Sequence, residues 1–333
     1  MPKRFLLIAA GVIGLVFFFC AVYFFSSGAN ITVRFEIKQG QSVRSLAGEL
    51  KKAGIIRSEF IFRVVARLKE VDTNIKSGTY TTEPPITIFS VLNSLSHPDA
   101  REEKTVTILP GWDLRDIADY LVQQGVASST EAVYEVTGLP ADTKIFYTNL
   151  VPAKPSNVSL EGYLSPDTYR VFADASVENV VQKLTEERMS QLVPYAKEIQ
   201  SSGLSLHEVL TLASIVEREA RLPEARAIVA DIFLRRLKDG WPLQADSTVQ
   251  YAIGKKGDVF TTGRERSLDN PWNTYKYPGL PIGPIANPSL NSIESVLRPT
   301  KNDYWYFIST LDGEMKYAKT IEEHQKNVST YLR

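Results

Sequence analysis

The chain has 333 residues, of which 38 are Lys or Arg and 38 are Asp or Glu, so its formal net charge is zero. This balance disfavours nucleic acid as the main partner, because binding to phosphates needs an excess of basic side chains. Three histidines and one cysteine provide too few ligands for most metal sites and exclude an intramolecular disulfide. We therefore expect a folded protein that holds no metal, and its length suggests more than one domain.

An apolar segment follows the short amino end. Residues 1–4 include Lys3 and Arg4, whereas the run Phe5–Phe25 carries no charge. A helix of that length is about 30 Å long, which matches the hydrocarbon core of a bilayer. The positive-inside rule then places the amino end in the cytoplasm. The sequence predicts a single-pass plasma (inner) membrane protein, with a linker at 26–32 and the remaining chain on the periplasmic or extracellular side. A cleaved signal peptide is the alternative.

Two similar segments follow the predicted anchor. Gln39–Leu50 lines up with Pro110–Leu121, and each segment comes directly after an alternating pattern typical of a strand. Both copies contain a candidate N-cap and a terminal glycine, which are Ser42 and Gly54 in the first copy and Asp113 and Gly125 in the second. The repeat predicts a strand–turn–helix unit and resembles LysM-like modules, which bind N-acetylated glycans. A spacer or docking module without glycan affinity is the alternative.

The remaining chain alternates between predicted helices and short strands. We assign residues 33–136 to the LysM-like repeat region and residues 137–159, which hold several prolines and glycines, to a linker with one short helix. Residues 160–333 are predicted to form the last domain, with several helices and a hairpin around Asp312-Gly313. The predicted fold class is therefore α+β: an N-terminal transmembrane helix, LysM-like βα modules and a mixed α+β catalytic domain.

The helix predicted over Leu206–Ala220 carries an acidic side chain on its apolar face. At about 100° per residue, Glu217 falls in the same arc as Val209, Leu210 and Ala213. Burial raises the pKa of a carboxyl group, and a general acid at neutral pH needs such a shift. The alternative is a structural ion pair of this glutamate with Arg218, Arg221 or Arg226.

Two later segments carry groups that suit a sugar ligand. Aromatic rings cover the apolar faces of sugars, and amides bond to their hydroxyl and acetamido groups. The candidate substrate-binding residues in these segments are Gln244, Asp246, Thr248, Tyr251, Trp272, Asn273, Tyr275 and Asn287. A rigid structural loop is the alternative for the second, proline-rich segment.

Four motifs occur in a fixed order along the chain. They are Leu212–Glu219, Leu243–Tyr251, Trp272–Tyr275 and Gly279–Ile285, and a further motif at Glu161–Tyr169 precedes them. In this order they resemble the YceG-like endolytic murein transglycosylases, a resemblance that extends over effectively the whole chain.

The resemblance implies a membrane-anchored enzyme that cuts nascent peptidoglycan glycan strands internally. It implies cleavage of the β-1,4 bond after N-acetylmuramic acid, a 1,6-anhydro product end and Glu217 as general acid and then base, without a cofactor. Peptidoglycan synthases of the elongation or division machinery are the implied protein partners. Two alternatives remain: a hydrolytic muramidase that uses Asp246 or Glu219 as a second carboxylate, and a non-enzymatic wall-binding scaffold.

Overall fold

The computed structural model of the protein describes residues 32–38, 40–69, 71, 75–95, 103–151, 154–256, 261–310 and 312–332. The chain divides into two compact units, residues 1–102 and 103–333. The predicted anchor at residues 5–25 lies outside the described residues. Within the described ranges, no helix has both the length and the apolar character needed to cross a bilayer.

The first unit is a small α+β module with a core of its own. Its elements are β1 (Val33–Ile37), α1 (Val43–Lys52), α2 (Glu59–Leu68), β2 (Gly78–Thr82) and α3 (Ile88–Ser94). Strands β1 and β2 pair antiparallel. The core between the sheet and the helices includes Leu46, Leu50, Phe62, Tyr80 and Leu92.

Helix α1 begins and ends where the repeat predicted. The Ser42 hydroxyl accepts a hydrogen bond from the backbone N–H of Ser45 at 3.2 Å and so caps the helix. After the helix, Gly54 adopts a φ of +72°, a left-handed conformation that costs glycine little. Leu46, Ala47 and Leu50 of this helix are buried.

The second unit contains the other elements. They are β3 (Glu103–Thr107), α4 (Leu114–Gln123), α5 (Thr130–Thr137), β4 (Thr168–Phe172), α6 (Val177–Leu192), α7 (Ala196–Ser202), α8 (Leu206–Glu219), α9 (Pro223–Lys238), α10 (Asp246–Ile253), α11 (Gly263–Arg266), α12 (Leu290–Leu297), β5 (Tyr306–Ser309), β6 (Met315–Ala318) and α13 (Ile321–Tyr331). Strands β3 and β4 pair antiparallel, as do β5 and β6. One continuous core joins residues as distant in sequence as Val106, Leu164, Leu212 and Ile293.

The second copy of the repeat belongs to this larger unit. Asp113 caps α4, and Gly125 ends it with a φ of +62°, as in the first copy. Both copies continue through a second helix to a strand that pairs with the first, which gives the order βααβ twice. In the second copy the return strand β4 comes only after the segment 138–167. The observed division of the chain at 102/103 therefore differs from the predicted division around 137–159, because β4 and the residues before it pack into the core of this copy.

Two local predictions are corrected by the structure. Helix α5 ends at Thr137, and the described residues of 138–160 contain no helix, although one short helix was predicted there. Conversely, α10 forms within a segment interpreted only as a polar run. Ala245 precedes this helix without a side-chain cap, so the sequence lacks the usual start signal.

Helix α8 lies at the centre of the second unit. Ser205 and Glu208 form a capping box at its start, and every residue from Val209 to Glu217 is buried. Helices α9, α10 and α12 pack against it. The carboxyl end of α8 therefore lies where several elements meet, and both acidic residues of its last turn project from there.

Candidate functional site

The two glutamates at the end of α8 project into different surroundings. Glu217 and Glu219 are two positions apart, which on a helix turns their side chains about 200° from each other. The Glu217 side chain is only 4% exposed, whereas Glu219 lies at a partly exposed position. The two carboxyl groups are therefore candidates for different tasks.

Hydrogen-bond donors surround the Glu217 carboxylate. Its Oε1 accepts from Nη2 of Arg226 at 2.7 Å. Its Oε2 accepts from the backbone N–H of Ser289 at 2.9 Å, from the Ser289 hydroxyl at 2.6 Å and from the Ser292 hydroxyl at 2.7 Å. Each carboxylate oxygen offers about two acceptor sites, so these bonds fill Oε2 and leave one acceptor site on Oε1.

The predicted apolar surroundings of Glu217 are therefore wrong, and the ion pair that was the alternative is present, with Arg226 as the partner. Arg226 also donates to the carbonyl of Ala220 at 3.0 Å and to Oδ1 of Asn291 at 3.2 Å. The cluster ties the end of α8 to α9 and to the amino end of α12. Its contacts are those of a structural clasp, and we call Glu217, Arg226, Ser289 and Ser292 the α8 clasp.

Glu219 has a different set of contacts. Its Oε1 accepts from the Ser247 hydroxyl at 2.6 Å, and the backbone N–H of Ser247 lies at 3.4 Å. Burial raises the pKa of Glu219; the hydrogen bonds from Ser247 oppose this shift, and the negative charge of Asp246 adds to it. A partly exposed carboxyl with a raised pKa has the properties of a general acid.

Asp246, the first residue of α10, lies beside this acid and is held from several sides. Its Oδ1 accepts from the Tyr275 hydroxyl at 2.8 Å and from the hydroxyl of Thr261. Nε of Arg266 lies 3.4 Å from the same oxygen, and the guanidinium covers the Tyr275 ring at 5.0 Å from its centroid. We call Glu219, Asp246, Ser247, Tyr275 and Arg266 the acid cluster.

Three predicted substrate-binding residues have accessible surface in or next to this cluster. Asp246 and Tyr275 are partly exposed members of it, and Gln244 is exposed with a φ of +53° in the loop before α10. Asp246 and Tyr275 therefore belong to the same cluster as Glu219, and Gln244 lies on the loop that leads to it.

Asn287 does not fit its predicted role, because it is fully buried. Its Oδ1 accepts from the N–H of Leu164 at 3.0 Å, and its Nδ2 donates to the carbonyl of Trp112 at 3.1 Å and to Oε1 of Glu161 at 3.0 Å. These bonds join three segments of the fold and leave no group for a sugar.

Thr248 and Asn273 are buried in the same way. The Thr248 hydroxyl donates to the carbonyl of Ala245 at 2.7 Å. Nδ2 of Asn273 donates to the carbonyls of Arg266 and Leu268 at 2.9 and 2.8 Å. The prediction that they touch a glycan does not fit this burial; instead they shape the loops that carry Asp246 and Tyr275.

The rings of Tyr251 and Trp272 are also unavailable, since they are only 4% and 3% exposed and pack against each other with centroids 5.8 Å apart. The Tyr251 hydroxyl donates to Oε2 of Glu161 at 3.1 Å and accepts from the N–H of Ala141 at 3.0 Å. Burial raises the pKa of Glu161 well above its usual value. These rings belong to the core, so the predicted sugar contacts do not fit.

Ser247 and Arg266 belong to the acid cluster but were missed from the sequence. Ser247 stands next to Asp246 in the motif Leu243–Tyr251, and this position was the sequence signal that could have identified it. Arg266 lies in none of the motifs, so only the folded chain places it over Tyr275.

The acid cluster is typical of enzymes that use acid–base catalysis. A carboxyl with a raised pKa beside a second carboxylate is the arrangement that acid–base enzymes use on glycosidic bonds. Among the described residues, no group of three or more His, Cys, Asp or Glu side chains is placed to hold a metal ion.

Comparison with known proteins gives the family. A model of the YceG-like family matches residues 35–330, so the chain belongs to the YceG-like family. A protein of Bacillus subtilis (strain 168) named endolytic murein transglycosylase is 31% identical over 316 residues, which cover 91% of this chain and 86% of that protein.

Two further relatives agree with this assignment. A protein of Streptococcus pneumoniae serotype 2 (strain D39 / NCTC 7466) with the same name is 31% identical over 349 residues; the match covers 98% of this chain but 63% of the relative. The crystal structure of a YceG-like protein from Listeria monocytogenes has a TM-score of 0.59 and 29% identity, and the match covers 90% of this chain and 99% of that one.

Proposed function

We propose that this protein is an endolytic peptidoglycan lytic transglycosylase and that Glu219 is its catalytic acid. The names of the relatives support the activity and the substrate class. The observation that carries the residue assignment is the position of Glu219, which is partly exposed and accepts a hydrogen bond from Ser247, the neighbour of Asp246; the raised pKa of its carboxyl agrees with this role. Glu217, to which the sequence resemblance assigned the role, is the alternative catalytic acid; its carboxylate accepts four hydrogen bonds within the α8 clasp.

The proposed reaction needs one carboxyl that first gives and then accepts a proton. Neutral Glu219 protonates the oxygen of the β-1,4 bond between N-acetylmuramic acid and N-acetylglucosamine, and the bond from C1 to that oxygen breaks. Ionised Glu219 then takes the proton from the C6 hydroxyl of the same N-acetylmuramic residue. The C6 oxygen bonds to C1 and closes the 1,6-anhydro ring, so no water is consumed.

The neighbours of Glu219 support both halves of this cycle. The charge of Asp246 favours the neutral form that must donate the proton. The Ser247 hydroxyl, 2.6 Å from Oε1, stabilises the ionised form that must accept one. In the proposed reaction the negative charge of Asp246, which Tyr275 and Arg266 hold in place, offsets positive charge that develops at C1.

Product analysis tests the assignment. Wild type, Glu219→Gln and Glu217→Gln are incubated with purified, uncrosslinked glycan strands, and the ends are identified by mass spectrometry. We expect anhydro ends from wild type and from folded Glu217→Gln, and none from Glu219→Gln. Undiminished cleavage by Glu219→Gln would refute the assignment.

A hydrolytic muramidase is the second candidate, because Asp246 is a second carboxylate whose charge acts on Glu219, and such a pair can supply an acid and a base for water. The same experiment separates the two, since hydrolysis leaves reducing ends and the lyase reaction leaves anhydro ends. A wall-binding scaffold would give no new ends with any variant.

The proposed location rests on the sequence alone. The uncharged run Phe5–Phe25 anchors the chain in the inner membrane as a single span, with residues 1–4 in the cytoplasm and the chain from residue 26 onward outside. We further propose that the βααβ repeats act as LysM-like modules toward wall glycans and that peptidoglycan synthases are partners. Protease accessibility in spheroplasts tests the orientation: both units must be digested from the outside.

A further inference from the structure

An aromatic cluster lies on the surface of the second unit, outside the acid cluster. The rings of Trp241 and Trp305 have centroids 4.9 Å apart, and the Trp241 and Tyr306 centroids are 6.3 Å apart. Trp241 is 42% exposed, and the other two rings are partly exposed. We call Trp241, Trp305 and Tyr306 the aromatic platform.

Two arginines of α9 hold the platform rigid. The Arg235 guanidinium lies over the Trp305 ring at 4.9 Å, and that of Arg236 lies over the Tyr306 ring at 5.7 Å. Nε of Arg236 donates to the carbonyl of Trp305 at 3.1 Å, and its Nη1 donates to the carbonyl of Leu243 at 2.6 Å. A surface fixed in this way loses little conformational entropy when a ligand binds.

The platform continues into the acid cluster. Arg236 connects it to the loop that carries Asp246, and Glu219 lies close enough for its charge to oppose the lowering of the Arg236 pKa by burial. Trp241 precedes Asp246 by five positions, so their Cα atoms are at most about 18 Å apart. A glycan bound at the acid cluster therefore needs only a few sugar residues to reach the platform.

The chemistry of the surface favours a sugar chain as its occupant. The exposed indole of Trp241 can pack against the apolar C–H face of a pyranose ring, and Trp305 and Tyr306 support it from below, since Arg235 covers Trp305 and both Arg236 and His324 cover Tyr306. The amide of exposed Gln244 lies on the loop between Trp241 and Asp246. The buried rings Trp272 and Tyr251 cannot do this, so the platform supplies the ring surface that the proposed substrate needs.

We propose that Trp241, Trp305 and Tyr306 form a distal glycan-binding subsite that stacks N-acetylated sugar residues on either the leaving or the retained side of the cleaved bond. This inference rests on the proposed function, because it assigns the platform to the same substrate. It predicts that a glycan long enough to contact both the acid cluster and the aromatic platform binds more tightly than a glycan that contacts the acid cluster alone.

Binding of the N-acetylglucosamine hexamer to the full-length chain tests the subsite. The parent protein carries Glu219→Gln so that nothing is cleaved, and affinity is measured by calorimetry and by tryptophan emission. Trp241→Ala should weaken binding about tenfold, the amount expected for loss of one aromatic stacking contact. Trp241→Phe, which keeps a ring, should lose less. Tyr147→Ala removes a ring that is 79% exposed and belongs to neither cluster, and it should bind as the parent does.

Failure of the subsite and failure of the proposed function give different results. If the parent does not bind the hexamer, or if Trp241→Ala binds it as tightly as the parent, the platform is not a glycan subsite and a protein partner becomes the better occupant. The catalytic role of Glu219 is read independently, from the anhydro ends that wild type forms and Glu219→Gln does not. Circular dichroism of Trp241→Ala confirms that a weaker affinity does not come from unfolding.

Discussion

Replacement of Glu217 by Gln should destabilise the second unit without removing the chemistry. The change leaves the Arg226 guanidinium without its charged partner, although that group keeps the carbonyl of Ala220 and Oδ1 of Asn291 as acceptors. The new amide also turns an N–H₂ group toward donors, which are either Arg226 or the hydroxyls of Ser289 and Ser292. Breaking a buried ion pair costs about 3–5 kcal/mol. Because part of the bonding to Arg226 survives, we expect about 3 kcal/mol.

Thermal unfolding followed by calorimetry measures this cost. For a unit of this size each kcal/mol lowers Tm by roughly 2–4 °C, so Glu217→Gln should melt about 6–12 °C below wild type. Glu219→Gln is the matched control, because it makes the same chemical change two positions away without breaking an ion pair, and its Tm should stay close to that of wild type. Cleavage per folded molecule should survive only in Glu217→Gln. A variant at 217 that melts like wild type but forms no product would refute the division of roles.

The remaining predictions concern the pH profile and the buried amide. Activity should fall as pH rises through the pKa of Glu219, because the acid must be protonated. Ser247→Ala removes the hydroxyl hydrogen bond that lowers this pKa, although the backbone N–H bond remains, and should move the decline to higher pH. Asp246→Asn removes a charge that raises this pKa and should move the decline to lower pH. Equal shifts in one direction would contradict the electrostatic account. The pKa of Glu219 is higher in the folded protein than in the unfolded chain. Its contribution to stability is therefore complete at pH values below the pKa of the unfolded chain, and it is lost as pH rises through the pKa of the folded protein. The Tm of Glu219→Gln, measured by calorimetry, should therefore gain on wild type toward alkaline pH, and a constant difference would contradict this. Asn287→Ala leaves buried partners unsatisfied and should lower the free energy of unfolding by about 3 kcal/mol in urea titrations, with KM unchanged; a raised KM at full stability would restore its predicted contact with substrate.

The sequence predicted features whose causes are local. The Ser42 and Asp113 caps, the glycines after both repeat helices and the course of α8 depend on neighbours within a few positions, and each occurs as predicted. The helical periodicity of about 100° per residue also placed Glu217 correctly on the buried side of α8. The helical periodicity contains no information on which groups surround the Glu217 carboxylate. Those groups come from α9 and from Ser289, far along the chain.

The ring-rich loop shows the same limit. Trp272 and Asn273 have the chemistry of sugar contacts, and the sequence cannot show that Tyr251 covers the indole or that two loop carbonyls take the amide. Trp241 lies in none of the motifs. Only the folding of β5 beside α9 places Trp305 and Tyr306 against it. Residue type alone therefore identified suitable chemistry but not its accessibility.

The two glutamates at the end of α8 have opposite effects on stability. Holding Glu219 with a raised pKa disfavours its charged form and so costs stability at neutral pH. The α8 clasp two positions earlier binds its carboxylate with four donors, joins three helices and stabilises the last turn on which Glu219 stands. Because the side chains point about 200° apart on the helix, one can be bonded inside the fold while the other faces the acid cluster. A spacing of one or four residues would not separate them in this way, since a carboxylate one turn later would enter the same cluster of donors.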